Sequence, residues 1–354
     1  MLQAILEKAV GLGASDVLLI AGLPVSFKVS GVITREPTER LTPAQCEAFA
    51  KEVYAMASNR DMTRLLETGD DDFSFSVPGL SRFRVNTLRQ RGTLGVIIRV
   101  IAFELPDRVK LGIPDNVMAF SRLTKGLVLI TGMAGSGKST TLACIVNEIN
   151  TTRSAHIITI EDPLEFLHRH QKSVVTQREI ATDTASYKVA LRAALREAPD
   201  IILLGEMRDP ETIAAAVAAA ETGHLVISTL HTLGAANTVD RIVSAFPSEQ
   251  QRQIRSQLAL ILMGVASQQL LHTVDGKMAP AFEVMTASSA VRNLIRESKG
   301  YQLDNVIANS ASEGMVTMDQ SLLSLVREGK ISAQEAVQHS VNPEWLSKRL
   351  TETV

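Results

Sequence analysis

Gly132-Met133-Ala134-Gly135-Ser136-Gly137-Lys138-Ser139 follows the apolar run at 127–131 and opens a helical stretch. The spacing is G-x-x-x-x-G-K-[ST], and a strand before it with a helix after it is the context in which such a loop binds phosphate. The glycines let the backbone curl through Gly135, Ser136 and Gly137 so that its N–H groups point at a β-phosphate, which also meets the positive end of a helix. Lys138 then reaches the β- and γ-phosphates, Ser139 offers a hydroxyl to Mg²⁺, and Thr140 or Thr141 faces the α-phosphate. A glycine turn without a ligand is the alternative, but a chance match in a chain of this size is about one in a hundred.

Working outward, Arg196-Glu197-Ala198-Pro199-Asp200 leads into the apolar run at 201–204 and then Gly205-Glu206-Met207-Arg208-Asp209. A carboxylate at the end of a buried parallel strand faces the phosphate loop, where it holds Mg²⁺ directly or through water, and Glu206 takes that place. Asp209 precedes Pro210, so a helix cap explains it as well as a function does. Between the two motifs, Glu161, Asp162 and Glu165 gather around Pro163. Alone they read as a solvated loop; beside a polyphosphate, a carboxylate there orients and deprotonates the attacking water, and Glu165 is the candidate base. Further on, His224 and His231 bracket another strand. A histidine can donate to a γ-phosphate oxygen, with a structural role as the equal alternative.

Strand-like runs alternate with helical ones from Gly126 onward, which signals a parallel α/β sheet. Beyond Ser248 the pattern turns mostly helical to the end. The first hundred residues read differently. A capping pattern at Thr42 and Gln45 opens a helix expected over 43–66, and alternating segments at 73–77, 81–85 and 95–100 read as antiparallel strands. This is a small α+β domain over 1–101, followed by a linker over 102–114 that holds Pro106, Gly112 and Pro114, and then an ATPase domain over 115–354. Arg82, Arg84, Arg89, Arg91 and Arg99 lie on or between the early strands. Most exposed arginines do nothing specific, yet a phosphate-transfer site needs cations, which another domain or subunit can supply on closure.

Composition narrows the choices. The chain has 354 residues with 45% hydrophobic and 21% charged, ordinary for a globular protein and enough for two domains. Lys plus Arg number 36 against 38 Asp plus Glu, and aromatics are 4%, so no global attraction to nucleic acid is expected. Cys46 and Cys144 have no paired spacing and read as reduced thiols. No run approaches the roughly 20 apolar residues of a membrane span, and no signal peptide is visible, so a cytoplasmic location is expected.

In order and spacing, the four blocks around Lys138, Glu165, Glu206 and His231 resemble the Walker A, Asp, Walker B and His boxes of the secretion and traffic ATPases. Within that superfamily, Ala290-Val291-Arg292-Asn293-Leu294-Ile295-Arg296-Glu297 is similar to the carboxyl-terminal signature of the PilT family of type IV pilus retraction motors, and Gly314-Met315-Val316-Thr317-Met318 fits it too. The resemblance spans nearly the whole chain. It implies α/β architecture with a RecA-like P-loop ATPase domain preceded by a smaller α+β PAS-like domain. It also implies ATP and Mg²⁺ as cofactors, a homohexamer, and peripheral association with the inner-membrane platform protein of a type IV pilus at the cytoplasmic face. In that family, arginines of the first domain contact the nucleotide; Arg84 and Arg99 match best by spacing, and Arg192 and Arg196, one helical turn apart, join them. Met133 and Ala134 stand where the family has Pro-Thr, Ala198 replaces an Asp, the segment at 15–19 lacks the usual histidine, and Val291 replaces isoleucine. None of these removes a phosphate or metal ligand.

Two rivals share the loop. An assembly or type II secretion motor of the same superfamily is expected to carry a longer amino-terminal extension. A RecA-like nucleic-acid motor is expected to show a basic channel bearing aromatics.

Overall fold

The computed structural model describes residues 1–29, 31–101 and 105–352. Two compact units divide it: Met1–Glu104 with Leu164–Leu167, and Leu105–Pro163 with His168–Val354. The start of the expected linker, Ala102 through Glu104, lies outside the described residues. Residues 107–113 form a turn closed by Leu111 N–H to Asp107 O and Ile113 N–H to Arg108 O, and Ile113 joins the apolar core of the second unit.

In the first unit, α1 (Leu2–Gly11), β1 (Ala14–Ile20), β2 (Ser26–Val29), β3 (Val32–Arg35), α2 (Pro43–Met56), α3 (Thr63–Thr68), β4 (Asp70–Val77), β5 (Ser81–Gln90) and β6 (Thr93–Ile101) follow one another. The strands form one six-stranded sheet in the order β3-β2-β1-β6-β5-β4. Every pairing in it is antiparallel. Strict alternation in β5 buries Ser81, Phe83, Val85 and Thr87 on the face where Phe49, Ala50 and Val53 of α2 pack.

The capping box at Thr42 and Gln45 is present. The single helix expected over 43–66 is not. It stops at Met56, Ser58 and Asn59 turn left-handed with φ of 57° and 55°, and α3 begins afresh at Thr63. The cause is Asp71 on β4. Its buried carboxylate accepts from Arg60 Nε at 2.9 Å, Arg60 Nη2 at 3.1 Å and Tyr54 Oη at 3.0 Å. A straight helix would carry Arg60 away from it. Replacing Asp71 with alanine leaves the Tyr54 hydroxyl without this acceptor and Arg60 without its ion pair, at an expected cost of about 3 kcal/mol. Amide exchange in α2 and β4 should quicken about a hundredfold; unchanged protection would show that the network is not what bends the chain.

In the second unit, α4 (Asp115–Met118), β7 (Gly126–Thr131), α5 (Lys138–Thr152), β8 (His156–Glu161), β9 (Val174–Glu179), α6 (Tyr187–Ala194), β10 (Ile201–Leu204), α7 (Pro210–Glu221), β11 (Leu225–Leu230), α8 (Ala235–Ser244) and α9 (Ser248–Ile261) are followed by β12 (Leu262–His272) and β13 (Met278–Thr286). Five helices close the chain: α10 (Ser289–Arg296), α11 (Leu303–Asn309), α12 (Met318–Arg327), α13 (Ala333–His339) and α14 (Pro343–Thr351). The sheet has seven strands in the order β13-β12-β7-β11-β10-β8-β9. All neighbours are parallel except the β12–β13 pair.

The mostly helical pattern expected beyond Ser248 is thus wrong for 262–286. β12 follows α9 with no intervening loop, and its unbroken buried run from Gly264 to Gln268 carries no period-2 signal. Parallel pairing with β7 from Leu262↔Leu127 to Ser267↔Thr131 makes it a strand, a long-range influence that local propensity does not register. β7, β8, β10 and β11 are nearly continuous Val, Ile and Leu runs, as strands covered on both faces require. Because they run in one direction, their carboxyl ends deliver the loops after Thr131, Glu161, Leu204 and Leu230 to one edge of the sheet, where α/β folds bind ligands.

Candidate functional site

At that edge the chain leaves β7 through Gly132, Gly135 and Gly137, with φ of 144°, 78° and 86°, and enters α5 at Lys138. A Cβ on Gly132 would stand 2.3 Å from the main-chain oxygen of Gln268, so Gly132 admits no side chain, and one on Gly137 would stand 2.9 Å from the Gln268 Nε2, which would have to shift. Lys138 is only 8% exposed, and its Nζ donates to Gly132 O and Met133 O, each at 2.8 Å. Ser136 Oγ and Thr131 Oγ1 are buried with no hydrogen-bond partner among the described residues. Native interiors rarely leave such groups unsatisfied, and here they stand at the end of β7 and in the glycine loop after it, the sequence pattern that binds phosphate. Ser139 and Thr140 are half-buried in the first turn of α5. Thr141 is fully buried and its Oγ1 donates to Gln268 Oε1 at 2.8 Å, so of the two threonines only Thr140 stays open to a phosphate.

Two strands away, β10 is buried throughout and runs out into Gly205-Glu206. Glu206 is 8% exposed; its Oε1 forms an ion pair with Arg208, while Oε2 has no hydrogen bond and lies 3.4 Å from His231 Nε2. A buried carboxylate with a spare oxygen is the donor type that a hard cation takes, and Ser139 is the hydroxyl at the same edge. The residues present therefore fit a magnesium nucleotide. Asp209 caps α7, accepting from Thr212 N at 2.9 Å and Thr212 Oγ1 at 2.8 Å. The Thr212 and Glu211 donors hold its carboxyl below the usual range, and it takes no part in the cluster.

His231 follows β11 and reaches Glu206, but His224 does not join it. Its Nδ1 lies 3.0 Å from Ala219 O and 3.1 Å from Thr222 Oγ1 at the end of α7, and its carbonyl accepts from Gly126 N at the start of β7. The strand between the histidines separates them by about 20 Å. Arg192 and Arg196 are likewise misplaced for the nucleotide of their own chain. α6 starts beside Gly205 and runs back along the sheet, so both arginines are exposed at its far end, with Arg196 Nη1 donating to Arg192 O at 2.9 Å.

Arg84 and Arg99 belong to the first unit, where they face each other across β5 and β6. Arg84 is half-buried, and Arg99 Nε donates to Asp16 Oδ1 at 3.0 Å. Glu165 is exposed in the loop after β8, within the stretch Leu164–Leu167 that groups with the first unit.

Sequence reasoning missed several residues at this edge. Tyr187 opens α6, and a Cβ on Gly205 would come within 2.8 Å of its hydroxyl. Burial first, and the charges of Glu206, Asp162 and Glu161 after it, push that phenol above its ordinary range, so it stays a neutral donor beside the carboxylates. Ser267 Oγ accepts from Gly234 N at 2.9 Å, and Glu283 Oε1 from Ala235 N at 2.7 Å, fixing the loop after His231. Burial raises the carboxyl of Glu283. An aromatic after Ser186 offers no distinguishing pattern, and Ser267, Gln268 and Glu283 lie on the two strands that the sequence reading took for helix.

Residues 1–297 match the family described as type II/IV secretion system protein. The type IV pilus retraction ATPase PilT of Pseudomonas aeruginosa is 45% identical over 332 residues, covering 94% of this chain and 96% of that protein. A twitching motility protein of Neisseria gonorrhoeae is 49% identical over 277 residues, covering 78% and 74%. The crystal structure of the pilus retraction motor PilT with bound ADP superposes with a TM-score of 0.87 at 46% identity, covering 97% of this chain and 98% of that one. With phosphate loop, acidic strand end and histidine loop on one edge of a mostly parallel sheet, a family match over residues 1–297, and a relative matched over 96% of its length, the chain belongs to the type II/IV secretion system protein family.

Proposed function

We propose that this protein is an ATP-hydrolysing motor that powers retraction of type IV pili. The observation that carries the reading is the convergence of Lys138, the unsatisfied Ser136 hydroxyl and the spare oxygen of Glu206 at the carboxyl edge of one sheet. Relatives described as a retraction ATPase and a twitching motility protein, and a related motor seen with ADP, supply the kind of work.

In this reading Lys138 leaves its two loop carbonyls for the β- and γ-phosphates, and the loop N–H groups hold the anion. Ser139 and Glu206 would hold Mg²⁺, whose positive charge offsets the charge of the phosphates. Arg208 gives up Glu206 as the site fills, His231 donates a hydrogen bond toward the γ-phosphate position, and Glu165 takes the proton of the attacking water. Arg84 and Arg99 supply cations when the first domain closes on the nucleotide. The residue ranges 1–101, 102–114 and 115–354 serve as PAS-like domain, linker and RecA-like ATPase domain with a helical carboxyl-terminal region. The motor works as a homohexamer, peripherally bound to a platform protein at the cytoplasmic face of the inner membrane.

Glu165→Gln is the test. The expected result is ADP and ATP binding within about twofold of the unsubstituted chain and turnover reduced about a hundredfold or more, the scale of a lost general base. Full turnover would remove Glu165 from the role. Absence of any ATPase activity in the unsubstituted, assembled protein would overturn the motor reading.

A further inference from the structure

Gln268 sits on β12 at 3% exposure and lies beside the phosphate loop and the helix that follows it. Its Oε1 accepts the Thr141 hydroxyl of α5 at 2.8 Å. Its Nε2 stands 2.9 Å from the Cβ position of Gly137, and its main-chain oxygen 2.3 Å from that of Gly132. One residue therefore abuts the first and last glycines of the loop and the helix that follows.

The Thr141 contact has a local consequence. Gly137 O already accepts from Thr141 N at 3.1 Å, closing the first turn of α5. A threonine hydroxyl inside a helix ordinarily bonds back to the carbonyl four residues earlier and bends the helix as it does so. For Thr141 that carbonyl belongs to Gly137, the last residue of the loop. Gln268 takes the hydroxyl instead and leaves the Gly137 carbonyl to the helix alone.

We infer that Gln268 is a positioning residue for the nucleotide: by holding Thr141 away from Gly137 and filling the space that side chains on both bounding glycines would need, it sets the loop N–H groups, Lys138 and Ser139 toward a polyphosphate. This rests on the reading that the loop binds nucleotide. Gln268 touches no reacting atom; it acts through the loop.

The experiment compares Thr141→Val, Thr141→Ser, Gln268→Met and the Thr141→Val/Gln268→Met pair in the full chain, with ADP titration and steady-state ATP hydrolysis. Thr141→Val and Gln268→Met each raise the ADP Kd and the ATP KM about tenfold while kcat stays within about twofold, the scale of one buried hydrogen bond acting on ground state and transition state alike. Thr141→Ser keeps the hydroxyl and restores both constants. The double variant is no weaker than the worse single one, because both remove the same bond.

Additive losses in the double variant, or a lowered nucleotide-free Tm with Kd and KM unchanged, would overturn the assignment, since inert packing behaves that way. If Gln268→Met fails to fold, the contrast between Thr141→Val and Thr141→Ser decides alone. Lys138→Ala separates the two levels of the argument. If it leaves ADP binding intact, the loop reading fails; if it abolishes binding while Thr141→Val binds normally, only the role of Gln268 fails.

Discussion

Lys138→Ala is expected to weaken ADP and ATP binding about a hundredfold or more, because it removes the charge-assisted hydrogen bonds that the loop aims at the β- and γ-phosphates. Lys138 is nearly buried, and it bonds to Gly132 O and Met133 O. Its position is set by the loop itself, so the side chain has a short path from carbonyls to phosphate and loses little further rotamer freedom on binding. Stability should suffer far less than affinity. Met133 is exposed, so water can satisfy the carbonyl that alanine abandons there, while the buried Gly132 carbonyl loses its donor at a cost of about 1 kcal/mol. Titration with a fluorescent ADP analogue and a melting curve without nucleotide check both parts. A Kd within threefold of the unsubstituted chain would deny the loop its ligand.

Glu206→Gln is expected to keep nucleotide affinity and lower turnover by about a hundredfold to a thousandfold, since it preserves shape but removes the charge that a metal ion and an in-line attack both require. The carboxylate is buried against Arg208 and His231, whose own side chains are largely exposed, at 70% and 53%. Freed of the carboxylate, they are met by solvent, so the cost in stability should stay below about 1 kcal/mol. Phosphate release at saturating ATP measures the first effect and thermal melting the second. Turnover at the unsubstituted rate would place the metal ligand elsewhere. The variant also separates roles: it leaves Lys138 bound to its carbonyls as before, so binding lost in both variants would point to general damage.

The parts that could be read from the sequence were those whose chemistry is local. The G-x-x-x-x-G-K-S spacing, the buried run before Glu206, the capping box at Thr42 and the cap at Asp209 each declare themselves within ten residues or so. What could not be read depends on partners far along the chain. The break after Met56 is imposed by Asp71 from another element. β12 is a strand because β7 lies beside it, and with that strand went Ser267 and Gln268. The two histidines were legible as the ends of one strand, and that extended strand sends one to each edge of the sheet. The place of the arginines at 192 and 196, at the far end of α6 from Gly205, was hidden for a related reason, since the first residue of α6 packs beside Gly205 only in the folded chain.

The loop that carries His231 is restrained at nearly every step: Thr232 Oγ1 pairs with Thr238 Oγ1, Thr238 Oγ1 donates to Gly234 O, Gly234 N to Ser267 and Ala235 N to Glu283. Backbone travel there would require breaking several bonds at once, so in the γ-phosphate role proposed for His231 rotation of the imidazole is the cheap response to loss of that group. Such a rotation finishes in nanoseconds. The trigger is therefore fast, and whatever sets the pace of a power stroke has to be a slower rearrangement downstream of it.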